Sequence, residues 1–369
     1  MPETVEELGN GVFTGCSSLK SFNIPEDNPT FNVIDGFLCS KDGTTLLGAS
    51  EVGETCLIPD GIVRIGPGAF SGCNATSIVF PDTVKEIGVE AFVGCSQLSR
   101  IELSKNLEKT GDRAFTSCSS LKTINIPDSC QEIGFAAFNG CAALSSFVVP
   151  KGVKKIGDFT FSGCSALTEL IVPKGVEQFG REAFRGCSSL KKVVLPEGFK
   201  EIGSGAFHEC LSLEEVVFPE SVEVVEGGAF HSCKSLKTFV WPQSVKEIAS
   251  FTFVNCSSLE SVVLPDNLEK LGDRVFLQCA SLKSIVVPKG VKKIEEFAFA
   301  ECPSLKTVTI LGNVESIDPK AFWQSRSLTI RAPKDSCAEA FVKEFNEEIS
   351  KTIVAPYVKE RSLDVDPLD

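Results

Sequence analysis

The sequence has almost no histidine, and its acidic residues outnumber its basic ones. His208 and His231 are the only histidines among 369 residues. Even with Glu209 nearby, no further ligand follows at the spacing of a zinc site, so we interpret them as an exposed pair on neighbouring turns. The net charge of −13 argues against nucleic acid, because binding phosphates requires a basic surface. It also disfavours an anionic membrane.

Catalytic motifs are lacking as well. The sequence contains no G-x-S-x-G, Walker or dinucleotide-binding phrase. Its carboxylates occupy variable positions, which does not indicate an acid–base pair. We therefore predict that the protein is not an enzyme and needs no cofactor.

What the sequence does contain is one phrase that returns, from Phe92 onward, every 23 residues. Aligning the chain on the phenylalanine of this phrase gives Phe13, Phe70, Phe92, Phe115, Phe138, Phe161, Phe184, Phe207, Phe230, Phe253, Phe276, Phe299 and Phe322. A period of about 20–29 residues is typical of leucine-rich repeats, in which units stack on their neighbours. We predict a leucine-rich repeat solenoid, a right-handed coil or horseshoe that is mostly β. Residues 1–331 are expected to form a single domain.

A single repeat shows how a coil is built. The stretch LKKVVL before Pro196 follows L-x-x-L-x-L and predicts a short parallel strand. Gly203 predicts a tight turn, and Ala206-Phe207 a helical or 3₁₀ turn. The buried apolar side chains of one repeat contribute about 10–20 kcal/mol, whereas ordering its residues costs roughly 35 kcal/mol. A repeat is therefore stable only when stacked on others.

A cysteine follows the repeat phenylalanine by three residues. The column is Cys16, Cys73, Cys95, Cys118, Cys141, Cys164, Cys187, Cys210, Cys233, Cys256, Cys279 and Cys302. Stacked copies point the same way, which is poor disulfide geometry, so we interpret them as buried thiols that pack as small hydrophobes. Ser325 takes the last position and Cys130 lies in a valine column. Cys39 and Cys56 lie outside the columns, and whether they form a disulfide stays open.

Two segments depart from the repeat. Between residues 26 and 58, FNVIDGFLCSKDGTTLLGA predicts two strands joined at Lys41-Asp42-Gly43, and hence a coil with a projecting hairpin. Residues 332–369 are predicted to form a capping helix, begun by a serine, and an acidic tail. The apolar face of this helix contains Ala338, Phe341, Val342, Phe345 and Ile349.

The solvent-facing positions of the predicted strands contain an apolar column. Its members are Val148, Ile171, Val194, Val217, Val240, Val263 and Val286. Exposed apolar patches of this extent mark interaction sites, so we predict a binding face here. The alternatives are that valine merely suits a strand, or that longer neighbours shield the column. Beside it, the alternating charges of Lys191, Glu214, Lys237, Glu260 and Lys283 predict ion pairs between coils.

The repeat resembles a known family. PKGVKKIGDFTFSGCSALTELIVP, residues 150–173, is similar to the repeat of the BspA-like, or treponemal, class of leucine-rich repeats. VIDGFLCSKDGTTLL is similar to a variant coil of that class. The resemblance implies secreted or surface proteins of bacteria and some protists, several of which are adhesins that bind host matrix proteins, host cells or other microbes.

From this resemblance we expect an extracellular or cell-surface protein that binds a protein or a glycan without catalysis. The alternative is a structural spacer with no dedicated ligand. The chain is expected to be monomeric, with no nucleic-acid partner and no membrane insertion. It shows no signal peptide, lipobox, membrane span or anchor motif, but Pro2, Val5 and Leu8 already match repeat columns. We therefore expect that such segments have been removed.

Overall fold

The structure is a computed structural model that describes residues 4–16, 19–50, 52–325, 328–352 and 363–367. Pro2 and most of the predicted acidic tail lie outside these residues, and the side chains of 345–352 and 363–367 are likewise not described. The chain forms two compact units, Met1–Leu190 and Lys191–Asp369. Whether residues 1–331 act as one domain remains a prediction.

The first unit is a β-solenoid whose coils contain up to two strands. The strands of the L-x-x-L-x-L segments are β4 (Thr55–Leu57), β6 (Ser77–Val79), β8 (Arg100–Glu102), β11 (Ser146–Val148) and β13 (Glu169–Ile171). Two-residue strands follow them: β5 (Arg64–Ile65), β7 (Glu86–Ile87), β9 (Lys109–Thr110), β10 (Glu132–Ile133), β12 (Lys155–Ile156) and β14 (Gln178–Phe179). Equivalent strands pair in parallel, as where Phe147 lies opposite Leu170. The sequence did not predict the two-residue strands.

The irregular segment of the first unit is a three-stranded antiparallel meander. Its strands are β1 (Phe31–Ile34), β2 (Phe37–Ser40) and β3 (Thr45–Ala49). The predicted turn joins β2 to β3, and the Asp42 carboxylate accepts a hydrogen bond from the Thr44 N–H at 3.1 Å. A second turn, at Asp35 and Gly36, joins β1 to β2 with φ of 48° and 85°. Asp-Gly is itself a hairpin signal. The predicted two strands are therefore wrong in number, because the segment contains three.

The second unit repeats the same design. Its longer strands are β15 (Lys192–Val194), β17 (Glu215–Val217), β19 (Thr238–Val240), β21 (Ser261–Val263), β23 (Ser284–Val287), β25 (Thr307–Ile310), β27 (Leu328–Ala332) and β28 (Leu363–Pro367). Its two-residue strands are β16 (Glu201–Ile202), β18 (Val224–Val225), β20 (Glu247–Ile248), β22 (Lys270–Leu271), β24 (Lys293–Ile294) and β26 (Ser316–Ile317). Parallel register is kept, for example where Phe239 lies opposite Val262.

One helix, α1 (Cys337–Thr352), follows the last coil of the second unit and packs against β26 and β27. The Ser336 Oγ accepts a hydrogen bond from the Glu339 N–H at 3.3 Å, which is the predicted N-cap. Ala338 and Val342 are buried. The predicted positions of the Phe345 and Ile349 side chains lie outside the described residues.

The repeat phenylalanines form the centre of each core. Their rings stack offset and nearly parallel, with centroids 5.2 Å apart for Phe92 and Phe115 and 5.5 Å apart for Phe276 and Phe299. Such stacks add to the burial energy of large aromatic side chains. Phe13 departs from the prediction, because it packs edge-on against Phe22 and is only half-buried.

The connection after each two-residue strand consists of hydrogen-bonded turns, where the sequence predicted a helical or 3₁₀ turn. In one coil the His208 N–H donates to the Gly205 carbonyl at 2.9 Å, and the Cys210 N–H donates to the Phe207 carbonyl at 3.1 Å. Gly205 and Glu209 are left-handed, with φ of 61° and 60°. In most of these connections, two left-handed residues therefore turn the chain back toward the next strand.

Candidate functional site

The predicted apolar column is exposed in both units. In the first unit, Val148 and Ile171 lie opposite each other on β11 and β13 and are exposed. In the second unit, we call the five equivalent residues the valine column: Val194, Val217, Val240, Val263 and Val286. Their exposed fractions lie between 38 % and 63 %. Long neighbours therefore do not shield the column, and the predicted exposure is confirmed, whereas binding there stays a prediction.

Alternation along each strand creates this column, because successive side chains of a strand point to opposite faces. Val193 is fully buried while Val194 beside it is half-exposed. Parallel register then places Val194 opposite Val217, and Val240 opposite Val263. The result is a row of branched apolar side chains along the outer face of the strands.

Next to the valine column, the strands of the second unit change from charged to uncharged residues. Lys192 and Glu215 form an ion pair, with Nζ and Oε2 2.8 Å apart. The equivalent positions on the next three strands are Thr238, Ser261 and Ser284, all exposed or nearly so. At this end of the column, the neighbours on the same face of the strands therefore carry hydroxyl groups, whereas the ladder residues next to them in sequence are charged.

The predicted charge ladder is present where Glu260 and Lys283 form an ion pair, and the ammonium lowers the pKa of Glu260. Similar pairs join other neighbouring coils of the second unit. Lys200 and Glu223 lie 2.7 Å apart, and Lys246 and Glu269 lie 3.3 Å apart. Paired opposite charges cancel at a distance, so these residues supply little field to steer a ligand.

The cysteine column is a column of hydrogen-bond donors as well as of small apolar groups. Most of these thiols donate to the carbonyl oxygen of the repeat phenylalanine one coil earlier, as from Cys118 to Phe92 at 3.2 Å and from Cys279 to Phe253 at 3.2 Å. Burial raises the pKa of Cys279 well above its usual value. Buried thiols of this kind are poor nucleophiles.

Three thiols need separate mention: one departs from the predicted burial, and the other two are the pair whose disulfide the sequence left undecided. Cys16 is exposed and is not a core residue. Cys39 and Cys56 are free and buried. Burial raises their pKa values to about 11 and about 12.

The two histidines lie together as their spacing predicts. Their rings stack with centroids 4.4 Å apart and planes 8° from parallel. Both are half-buried, where we expected an exposed pair. Within the described ranges, no group of three or more His, Cys, Asp or Glu residues is arranged to hold a metal ion.

Sequence reasoning missed a polar cleft in the second unit. Asn255, Gln278, Glu301 and Gln324 line it, each two residues after a repeat phenylalanine, and its volume is about 570 Å³. A signal existed in the sequence, since this position changes from mostly glycine in the first unit to polar residues in the second. The significance of that change depends on backbone conformation, which the sequence does not display.

Aromatic and basic side chains also stack on the surface of the second unit. The Arg274 guanidinium lies 5.6 Å from the ring centroid of Phe251 and 5.1 Å from that of Phe297. Phe297 in turn meets the ring of Trp323 edge-on at 6.0 Å. Phe251 and Trp323 are exposed, so this surface offers aromatic faces to solvent.

Among the residues that the structure describes, no helix has both the length and the apolar character needed to cross a membrane.

No curated protein sequence matches the chain. Several solved structures do. A leucine-rich cell surface protein of Faecalibacterium prausnitzii A2-165 is 28 % identical, with a TM-score of 0.58 over 86 % of this chain and 98 % of that one. A leucine-rich repeat protein of Bacteroides ovatus ATCC 8483 is 26 % identical, with a TM-score of 0.68 over 92 % and 91 %.

The pneumococcal vaccine antigen PcpA shares the fold, with 18 % identity and a TM-score of 0.53 over 95 % of this chain and 100 % of that one. The sequence model of the BspA type leucine rich repeat region (6 copies) matches residues 1–36, 53–165, 115–237 and 200–329. These matches cover most of the chain, and the stacked 23-residue coils have the parallel strands that such repeats form. The chain therefore belongs to the family of BspA-type leucine-rich repeat proteins.

Proposed function

We propose that this protein is a non-enzymatic binding module of a cell surface or of the extracellular space, and that the valine column binds a protein partner. The observation that carries the proposal is the set of five half-exposed valines at equivalent positions on successive strands of the second unit, in which Val194 lies opposite Val217 and Val240 opposite Val263. Soluble proteins rarely leave contiguous apolar rows in water unless a partner covers them. The similarity to a leucine-rich cell surface protein supports the location.

A protein suits this surface better than a glycan does. The valine side chains offer apolar contact and no hydrogen bond, whereas a sugar presents hydroxyl groups that need partners when they are desolvated. The neighbouring Thr238, Ser261 and Ser284 supply hydroxyls at the edge. The expected partner surface is thus apolar at its centre and polar at its rim, like the core and rim of protein interfaces in general.

A structural spacer is the second candidate. The observation that favours it is the pairing of charges between coils, as for Lys200 with Glu223, which holds the solenoid together and attracts no partner. In that case the valines serve only the strands, for which β-branched residues are well suited.

The test is binding of the purified chain to immobilised extracellular-matrix proteins and to a glycan array. The decisive variant carries Val194→Lys, Val217→Lys and Val240→Lys, and the matched control carries Val224→Lys, which charges an exposed valine on β18 instead. We expect a matrix protein to bind, the triple variant to lose tenfold or more in affinity, and the control to bind as the wild type does. Circular dichroism verifies that both variants remain folded.

Two outcomes contradict the proposal. If the wild type binds no matrix protein, the spacer role is favoured. If the triple variant binds as tightly as the control, recognition lies elsewhere on the molecule. Binding to glycans alone, when lost in the triple variant, assigns the column to a sugar ligand and excludes a protein partner.

A further inference from the structure

The position two residues after the repeat phenylalanine is left-handed in coils of both units. In the first unit it is mostly glycine, as at Gly94, Gly140, Gly163 and Gly186, with φ between 70° and 77°. In the second unit, its occupants are Glu209, Ser232, Asn255, Gln278, Glu301 and Gln324, with φ between 53° and 62°. Only glycine adopts this conformation without steric cost, and asparagine is the best tolerated alternative. The second unit thus keeps strained polar side chains at a position where the first unit, except at Ser117, has glycine.

Strained left-handed residues cluster at sites where their side chains have a function. Here the side chains form an organised row. The Gln278 Nε2 donates to the Glu301 Oε2 at 3.0 Å, and the Asn255 Nδ2 donates to the Ser232 Oγ at 3.1 Å. The backbone places one such group on each coil, so the row repeats along the solenoid at the spacing of its strands.

The row lines the open cleft of about 570 Å³, whose other wall includes Ser257, Ala280 and Pro303. We call Asn255, Gln278, Glu301 and Gln324 the amide row. Among the described residues that line the cleft, Glu301 is the one carboxylate and none is a Lys or an Arg. The cleft therefore presents mainly neutral planar groups that can donate and accept hydrogen bonds.

An exposed aromatic residue adjoins one end of the amide row along the backbone. Trp323 directly precedes Gln324 and is exposed. Its carbonyl oxygen accepts the N–H of Glu301 at 2.8 Å, which ties it to the row, and its ring meets Phe297 edge-on. An exposed indole beside hydrogen-bonding groups offers an apolar face and polar partners together.

We propose that the amide row binds a neutral oligosaccharide. Vicinal hydroxyl groups both donate and accept hydrogen bonds, which matches the primary amides and the carboxylate of the row, and the C–H faces of a sugar ring match the exposed indole of Trp323. A cation would need several carboxylates, and an anionic ligand would need basic groups in the cleft. The open cleft repeats its hydrogen-bonding groups from coil to coil, which suits a chain of sugar units. This site is separate from the valine column and goes beyond the proposed function.

The test exploits the glycines of the first unit. The double variant Gln278→Gly and Gln324→Gly removes two side chains of the row and restores the residue that suits the left-handed backbone. The probes are a glycan array, followed by calorimetric titration with neutral hexasaccharides of glucose, mannose and galactose. We expect the wild type to bind at least one of them and the double variant to lose about tenfold or more in affinity. Its melting temperature should stay equal or rise.

Ser117→Gly is the matched control, because Ser117 occupies the same left-handed position, with φ of 61°, in the first unit. It should leave oligosaccharide binding unchanged, as should the triple lysine variant of the valine column. Trp323→Ala should weaken binding. The proposal is overturned if the wild type binds no neutral oligosaccharide, if it binds only charged glycans, or if the double variant binds as tightly as Ser117→Gly.

Discussion

The Sγ of Cys141 donates a hydrogen bond to the carbonyl oxygen of Phe115, one coil earlier, at 3.1 Å. The same oxygen accepts the N–H of Cys118 within its own coil at 3.1 Å. The N–H of Cys118 thus closes the turn of its own coil, and the thiol of Cys141 ties the next coil to that turn. Ser325 makes the same bond to Phe299 at 2.6 Å through its hydroxyl. The cysteine column therefore requires a small side chain that can donate a hydrogen bond.

This bond predicts an order of stability at position 141. Cys141→Ala removes the donor and leaves a small cavity, and we expect it to lower the free energy of unfolding by about 2 kcal/mol. Cys141→Ser keeps a donor and should cost about 1 kcal/mol. Urea unfolding followed by circular dichroism measures both. If the serine variant is less stable than the alanine variant, the thiol acts only as a hydrophobe.

The buried thiols also predict a loss of stability at alkaline pH. Burial raises the pKa values of Cys256 and Cys302 from 9.0 to about 12. In the unfolded chain these thiols ionise near pH 9, whereas in the folded protein they stay protonated. Their stabilising contribution is complete below pH 9 and is lost as the pH rises toward 12, by about 1.4 kcal/mol per pH unit for each thiol.

A pH titration of unfolding checks this. Cys256→Ser with Cys302→Ser should move the alkaline midpoint upward, because two groups that ionise only on unfolding are gone. Cys16→Ser, which removes an exposed thiol, should leave the midpoint where it is in the wild type. Equal midpoints for all three proteins would exclude the thiols as the cause.

Glycines of the first unit meet two different requirements. A Cβ on Gly111 would lie 2.6 Å from the carbonyl carbon of Gly88, so Gly111→Ala should cost about 2–3 kcal/mol through backbone displacement. Gly94 has φ of 71° and open space around it, so Gly94→Ala should cost only about 1 kcal/mol. Thermal unfolding ranks the two variants. A lower melting temperature for Gly94→Ala than for Gly111→Ala would contradict the close approach of the two coils.

The cap of α1 predicts a local effect. Ser336→Ala removes the acceptor of the Glu339 N–H and should destabilise the helix by about 1 kcal/mol. Hydrogen exchange of the Glu339 amide measures this directly and should become faster. Ser336→Asn retains a capping oxygen and serves as the control. Unchanged exchange in the alanine variant would show that packing against β26 and β27 alone holds the helix.

The candidate site was predictable in part. The period of 23 residues and the L-x-x-L-x-L pattern sufficed to place Val194 and its equivalents on the outer face, because strand alternation is a local property. The polar cleft was not predicted. Gln278 and Glu301 look like ordinary surface residues in sequence, and only their φ and their mutual hydrogen bond distinguish them.

The sequence by itself determined the repeat architecture, the buried column of phenylalanines, the capping helix and the face on which the valines lie. It could do so because every 23-residue unit repeats the same order of inward-facing and outward-facing residues, and no single repeat is stable without its neighbours. Only the tertiary structure decided which hydrogen bonds and close contacts form between one coil and the next. The thiol bond from Cys141 to Phe115 and the close approach of Gly111 to Gly88 both depend on contacts between residues that are distant in sequence. Those contacts exist only once the coils have stacked.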